Sequence, residues 1–144
     1  MPPHSKEFLK LLNSHKVEYL LIGGYAVGFY GYPRATVDID IWIDRTEENA
    51  DKVMAVLSDF GFGNAGMDRA WLFQDNKVIR MGVEPNRIEI LTGIDGVEFS
   101  ACKPREVAGE IDGIPVSIIA LEDLKTNKKA SGRYKDLNDL EHLP

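Results

Sequence analysis

The stretch Asp38-Ile39-Asp40-Ile41-Trp42-Ile43 constrains this chain more than any other. Acidic and apolar residues alternate with the period of a strand, so a strand over Val37 to Ile43 is expected. Side chains two residues apart share a face, which puts Asp38 and Asp40 on one side and sends Ile39 and Ile41 into a core on the other. Upstream, the apolar run Tyr19-Leu20-Leu21-Ile22 leads into Gly23-Gly24. That pattern reads as a strand turning sharply into a short helix, Tyr25 to Tyr30, with backbone N–H groups exposed at the turn and able to hold phosphate.

A third acid strengthens the pattern. Glu89 lies between Ile88 and Ile90, on the polar side of an otherwise apolar strand, Arg87 to Leu91. Asp-Ile-Asp alone, or Glu89 alone, describes any half-exposed strand. The ordered set of a glycine pair at a strand end, paired aspartates in the next strand and a lone acid in a later one says more. Three like charges on one side of a sheet repel each other unless a cation sits among them. Paired hard oxygen ligands beside a phosphate cradle are what magnesium-dependent chemistry on a nucleoside triphosphate requires.

The 144 residues, 44% of them hydrophobic, suit one compact domain over 1–144. The longest uncharged stretch, Tyr19 to Pro33, is shorter than the roughly 20 apolar residues of a membrane helix, and glycines interrupt it, so no membrane association is expected. The amino terminus has no basic region followed by an apolar one, and Cys102 stands alone as a packed small hydrophobe. Both point to a reducing, cytoplasmic setting. A net charge of −6 argues against nonspecific coating of nucleic acid. Locally the sign reverses: Lys125, Lys128, Lys129, Arg133 and Lys135 run without an acid among them, forming either a solvated helix face or a patch facing an anion.

The remaining pattern is a first helix through Phe8, Leu9, Leu11 and Leu12, and a helix starting at Thr46 that buries Val53, Met54, Val56, Leu57 and Phe60. A strand is expected over Val78 to Val83, with a turn at Glu84-Pro85-Asn86. A hairpin is expected around Asp112-Gly113, then helices over Leu121 to Ser131 and Tyr134 to Leu143. Trp71-Leu72-Phe73 could begin a strand or pack as a loop.

The order Gly-Gly, Asp-hydrophobic-Asp, hydrophobic-acid-hydrophobic resembles the nucleotidyltransferase superfamily that includes polymerase beta. More narrowly, Arg34-x-Thr36-x-Asp38-Ile39-Asp40, with Lys128-x-Ala130 and Arg133-x-Lys135-Asp136-x-x-Asp139, is similar to small prokaryotic nucleotidyltransferase-like proteins related to AbiE-type abortive-infection toxins. The resemblance implies an α/β (α+β) fold, a mixed sheet with flanking helices and carboxyl-terminal helices closing over one end. It implies that Asp38 and Asp40 hold two magnesium (or manganese) ions, that Glu89 holds the ion at the nucleophile, and that Gly23 and Gly24 offer N–H groups to the triphosphate. Two departures from the pattern are a glutamate as third acid and Gly-Gly where Gly-Ser is usual.

Of the basic residues, Lys128 matches the motif lysine and is expected to reach the nucleotide. Arg133 and Lys135 either reach phosphate or pair with Asp136 and Asp139. Arg34 either neutralises triphosphate charge or pairs with nearby acids, and Thr36 bonds locally. Tyr25, Tyr30 and Tyr32 either stack a base or pack. The implied activity is transfer of a nucleoside monophosphate to a hydroxyl of RNA, protein or a small molecule. The competing class is a noncatalytic nucleotide- or partner-binding module, half of a toxin–antitoxin-like pair with a cognate protein.

Overall fold

Ile39, Ile41 and Ile43 are fully buried while Asp40 between them is not, so the alternation written in the sequence becomes the two faces of a real strand. The structure is a computed structural model that describes residues 1–33, 38–61, 68–83 and 86–144. Arg34, Thr36, the Val37 start of the expected strand and the Glu84-Pro85 turn lie outside these.

Six strands form one mixed sheet in the order β3-β4-β2-β1-β6-β5. They are β1 (Tyr19–Ile22), β2 (Ile39–Ile43), β3 (Val78–Met81), β4 (Ile88–Leu91), β5 (Val107–Ile111) and β6 (Ile114–Ile118). β1 runs antiparallel to β2 and parallel to β6. β4 is parallel to β2 and antiparallel to the edge strand β3. All four residues of β1 are buried, as befits a strand covered on both faces. β5 and β6 form the expected hairpin, with Asp112 and Gly113 at its turn both at positive φ, 50° and 82°.

The helices are α1 (Pro3–Ser14), α2 (Gly23–Phe29), α3 (Glu47–Asp59), α4 (Phe99–Cys102), α5 (Leu121–Ser131) and α6 (Tyr134–His142). α1 packs on β6 and α3, where Phe8 meets Phe60 edge-to-face at 5.2 Å. The Thr46 hydroxyl accepts the Asn49 N–H at 3.1 Å and caps α3, as its place before two glutamates suggests. Buried Asn49 also receives the Glu18 N–H and donates to the carbonyls of Glu18 and Asp44, tying the entry of β1 to the exit of β2. Trp71-Leu72-Phe73 is neither strand nor loop but part of a 3₁₀ turn, Arg69–Phe73, that buries Leu72. No helix among the described residues is long and apolar enough to cross a membrane.

The two last helices meet through charge. Gly132, at φ 64°, ends α5 in the left-handed conformation that lets the chain turn back. Asp136 and Asp139, three residues apart on α6, point together at Lys128 on α5, whose ammonium lies 3.2 Å from one and 3.1 Å from the other. All three side chains are buried. Arg133 closes the cluster: both its backbone N–H and its Nε donate to Asp136, the latter at 2.7 Å. Burial pushes the Asp136 carboxyl up, but the Arg133 hydrogen bond and the Lys128 charge outweigh it and hold it below its ordinary value.

Removing one member of a buried ion cluster leaves charge without compensation, which costs far more than losing a surface pair. Lys128→Ala is expected to destabilise the protein by roughly 3 kcal/mol or more, and exposed Lys129→Ala by less than about 0.5 kcal/mol. Urea unfolding of the two variants measures both; equal midpoints would mean that the cluster contributes nothing.

Candidate functional site

Register brings the acids together. Asp40 of β2 lies beside Glu89 of the parallel strand β4, and Glu89 lies opposite Arg80 of β3, so these three occupy one face of the sheet. Ile88 and Ile90, like Ile39 and Ile41, are buried in the opposite direction. Asp38 stands just before β2, where its Oδ1 accepts the Arg87 backbone N–H at 2.8 Å. This hydrogen bond fixes the carboxylate at the mouth of the same face.

α2 begins at once after β1, at Gly23, two residues earlier than its sequence suggests. Ile22 pairs with Asp40 in the sheet, so the first residue of the helix comes up against that aspartate. Gly23 has φ 68°, and a Cβ there would be driven into the Asp40 carboxylate. Glycine is therefore required twice over, for the backbone conformation and for the approach.

A cavity of about 470 Å³ opens on this face and is lined by Gly23, Gly24, Asp38, Asp40, Glu89, Lys128 and Arg133 among others. The structure thus brings together every described residue that the sequence singled out for metal or phosphate, while Tyr25, Tyr30 and Tyr32 do not line the cavity. It also adds residues that the sequence reading did not assign: Arg80 from the edge strand, Asn76, Asn127 and Ser131. Lys135, expected either to reach phosphate or to pair with Asp136 and Asp139, lines the cavity as well, and its charge acts on Asp40. Lys128 reaches the wall of the cavity with its ammonium already committed to Asp136 and Asp139. Arg133 takes the pairing alternative, with Asp136, while 62% of its side chain remains exposed. Tyr30 donates to the Ile119 carbonyl at 2.7 Å, and Tyr32 stacks on His142 at 4.1 Å; both are engaged in packing.

Crowding shows in the acids' protonation. Burial, then the charge and hydrogen bond of Glu89, then Asp38, push the Asp40 carboxyl up to about 7, with Lys135 pulling the other way. Glu89 has neighbours of opposite sign: its Oε1 lies 3.2 Å from Arg80 Nε and 3.6 Å from Arg87 Nη1. Among the described residues no group of three or more His, Cys, Asp or Glu is arranged to hold a metal ion as it stands. The donor chemistry of the three acids nevertheless fits a hard divalent cation: all are carboxylates, and half-buried Asp40 is pushed toward protonation by its burial and then by Glu89, a push that a cation would oppose. Cys102, buried beside a second cavity, is pushed up to about 11 by burial and then by Asp123, which makes it a poor nucleophile.

The fold has a counterpart among solved structures. A protein from Thermotoga maritima, TM1012, described as a "putative nucleotidyltransferase", superposes with a TM-score of 0.59 at 18% identity, over 96% of this chain and 88% of that one. At that identity the likeness shows a shared fold. No family model and no curated protein matches the sequence.

The Asp40 shift makes stability depend on pH with a definite sign. Its native value, about 7, lies above the ordinary 3.8, so the folded protein holds a proton across that interval that the unfolded chain releases. The associated stability is complete below pH 4 and is lost as pH rises through 7, by an amount on the order of a few kcal/mol. Asp40→Asn keeps the neutral state at every pH. Thermal melts at pH 4 and pH 8 are therefore expected to show the variant gaining on the parent as pH rises; a constant difference would remove Asp40 as the titrating group.

Proposed function

We propose that the chain is a metal-dependent nucleotidyltransferase that moves a nucleoside monophosphate from a triphosphate to a hydroxyl acceptor, within the polymerase-beta-like superfamily and near its small AbiE-related members. The observation that carries this reading is the convergence of Asp38, Asp40 and Glu89 on one cavity that the Gly23-Gly24 start of α2 also lines, directly against Asp40. The fold shared with TM1012 agrees with it.

In this reading Asp38, Asp40 and Glu89 hold magnesium or manganese, which supplies Lewis-acid activation of the attacking hydroxyl and of the α-phosphate. Asp38 is oriented for that task by the Arg87 N–H, and Asp40 by the strand and by the absence of any side chain at Gly23. Gly23 and Gly24 admit the triphosphate to the backbone. Lys135 and the exposed part of Arg133 meet its negative charge from the α6 side of the cavity. Lys128 acts by holding α5 and α6 in place, which positions Arg133 and Lys135 at the rim. Arg34 and Thr36 complete the phosphate side in the proposal, on the strength of the motif alone. The hydroxyl oxygen attacks the α-phosphorus in line and loses its proton to solvent, the bond to pyrophosphate breaks, and pyrophosphate leaves.

The commitment of Lys128 to buried acids favours one alternative, a noncatalytic nucleotide- or partner-binding module of a toxin–antitoxin-like pair. Label transfer decides between them. With magnesium and α-labelled triphosphates, the parent is expected to label cellular RNA, protein or a small molecule. Asp40→Ala should reduce this by about a hundredfold or more, and Lys135→Ala should weaken nucleotide binding while leaving the melting temperature near that of the parent. Absence of transfer from all four nucleotides with the natural partner present would leave the binding module.

A further inference from the structure

We infer that Arg80 is a built-in counter-ion that occupies the metal's place at Glu89 and must swing aside when a divalent ion loads, an inference that rests on the metal reading of the site proposed above. Three observations meet in it. Arg80 stands directly opposite Glu89 in the β3–β4 pairing, and its Nε donates to Glu89 Oε1 at 3.2 Å. The same Oε1 is approached by Arg87 Nη1 at 3.6 Å, so one oxygen of the third acid, which lines the cavity with Asp38 and Asp40, already faces two cations. And the acids, though Asp40 and Glu89 are direct neighbours in the β2–β4 pairing, are not yet arranged around a common ion.

Arg80 rather than Arg87 is the side chain with somewhere to go. It sits on the edge strand of the sheet, and 56% of its side chain is exposed, against 21% for Arg87. Arg87 is also fixed at its backbone by Asp38 and by pairing with Ile39. A guanidinium held by one exposed contact is released cheaply, because such a pair is weak in water. It cannot remain in contact with Glu89 while a dication binds the same oxygen, since the two positive charges would then stand within a few ångströms of each other. Arg80 therefore weakens metal binding and keeps the acid cluster neutralised without it, a positioning role exerted through Glu89.

The test is binding, not turnover. Manganese titration of the whole chain, followed by electron paramagnetic resonance of the free ion, is compared for the parent, Arg80→Gln, Arg80→Lys and Arg69→Gln. Arg69 forms a comparable surface pair with Asp51, at 2.6 Å, and does not line the cavity. Arg80→Gln is expected to bind manganese roughly threefold to tenfold more tightly than the parent, with Arg80→Lys and Arg69→Gln within about twofold of it. Equal or weaker binding by Arg80→Gln, or equal tightening by Arg80→Lys, would overturn the role of the Arg80 charge while leaving the metal site standing. No saturable binding by any of the four proteins would overturn both.

Discussion

Everything at the cavity depends on the sealing of one face of β2. Ile39 and Ile41 are each fully buried, and moving the strand by a single residue would turn them toward the cavity and Asp40 into the core. The register is thus fixed by hydrophobic burial, and carboxylate crowding on the other face follows from it. The protein offsets that crowding in three ways: Asp40 takes up a proton, Glu89 is met by Arg80 and Arg87, and the Lys135 charge acts on Asp40 from α6. In the proposed reading each of these gives way to a divalent cation, which is the difference between this face and an ordinary half-exposed sheet.

A second electrostatic centre has the opposite character. The Lys128, Asp136, Asp139 and Arg133 cluster is drawn into the interior, where its members satisfy one another and fix the angle between α5 and α6. It presents Arg133 and Lys135 to the cavity without spending the buried lysine on a ligand. Motif residues need not touch substrate. Here the basic run splits by burial, the inward Lys128 serving the fold and the exposed Arg133 and Lys135 lining the cavity.

The sheet was legible wherever one face is buried and the other is not. Strands around Asp40 and Glu89, the Asp112-Gly113 hairpin and the Thr46-capped helix all appear where their patterns place them. Three things at the site escaped. The start of α2 at Gly23 depends on Ile22 pairing with Asp40, a contact between residues far apart in sequence. The burial of Lys128 depends on two acids of the next helix; the i, i+3 spacing of Asp136 and Asp139 was the available signal. Arg80 looked like any polar residue in a short strand, and only the β3–β4 register sets it over Glu89.

The central claim is that Asp38, Asp40 and Glu89 together hold the ions for chemistry on a triphosphate. A crystal grown with manganese and a nonhydrolysable nucleoside triphosphate, with data collected at the manganese absorption edge, tests it most directly. The account predicts two anomalous peaks about 4 Å apart, both touching Asp38 and Asp40, one of them also touching Glu89, with the phosphates over Gly23 and Gly24. Nucleotide bound without manganese at these carboxylates, or manganese bound elsewhere, would contradict it.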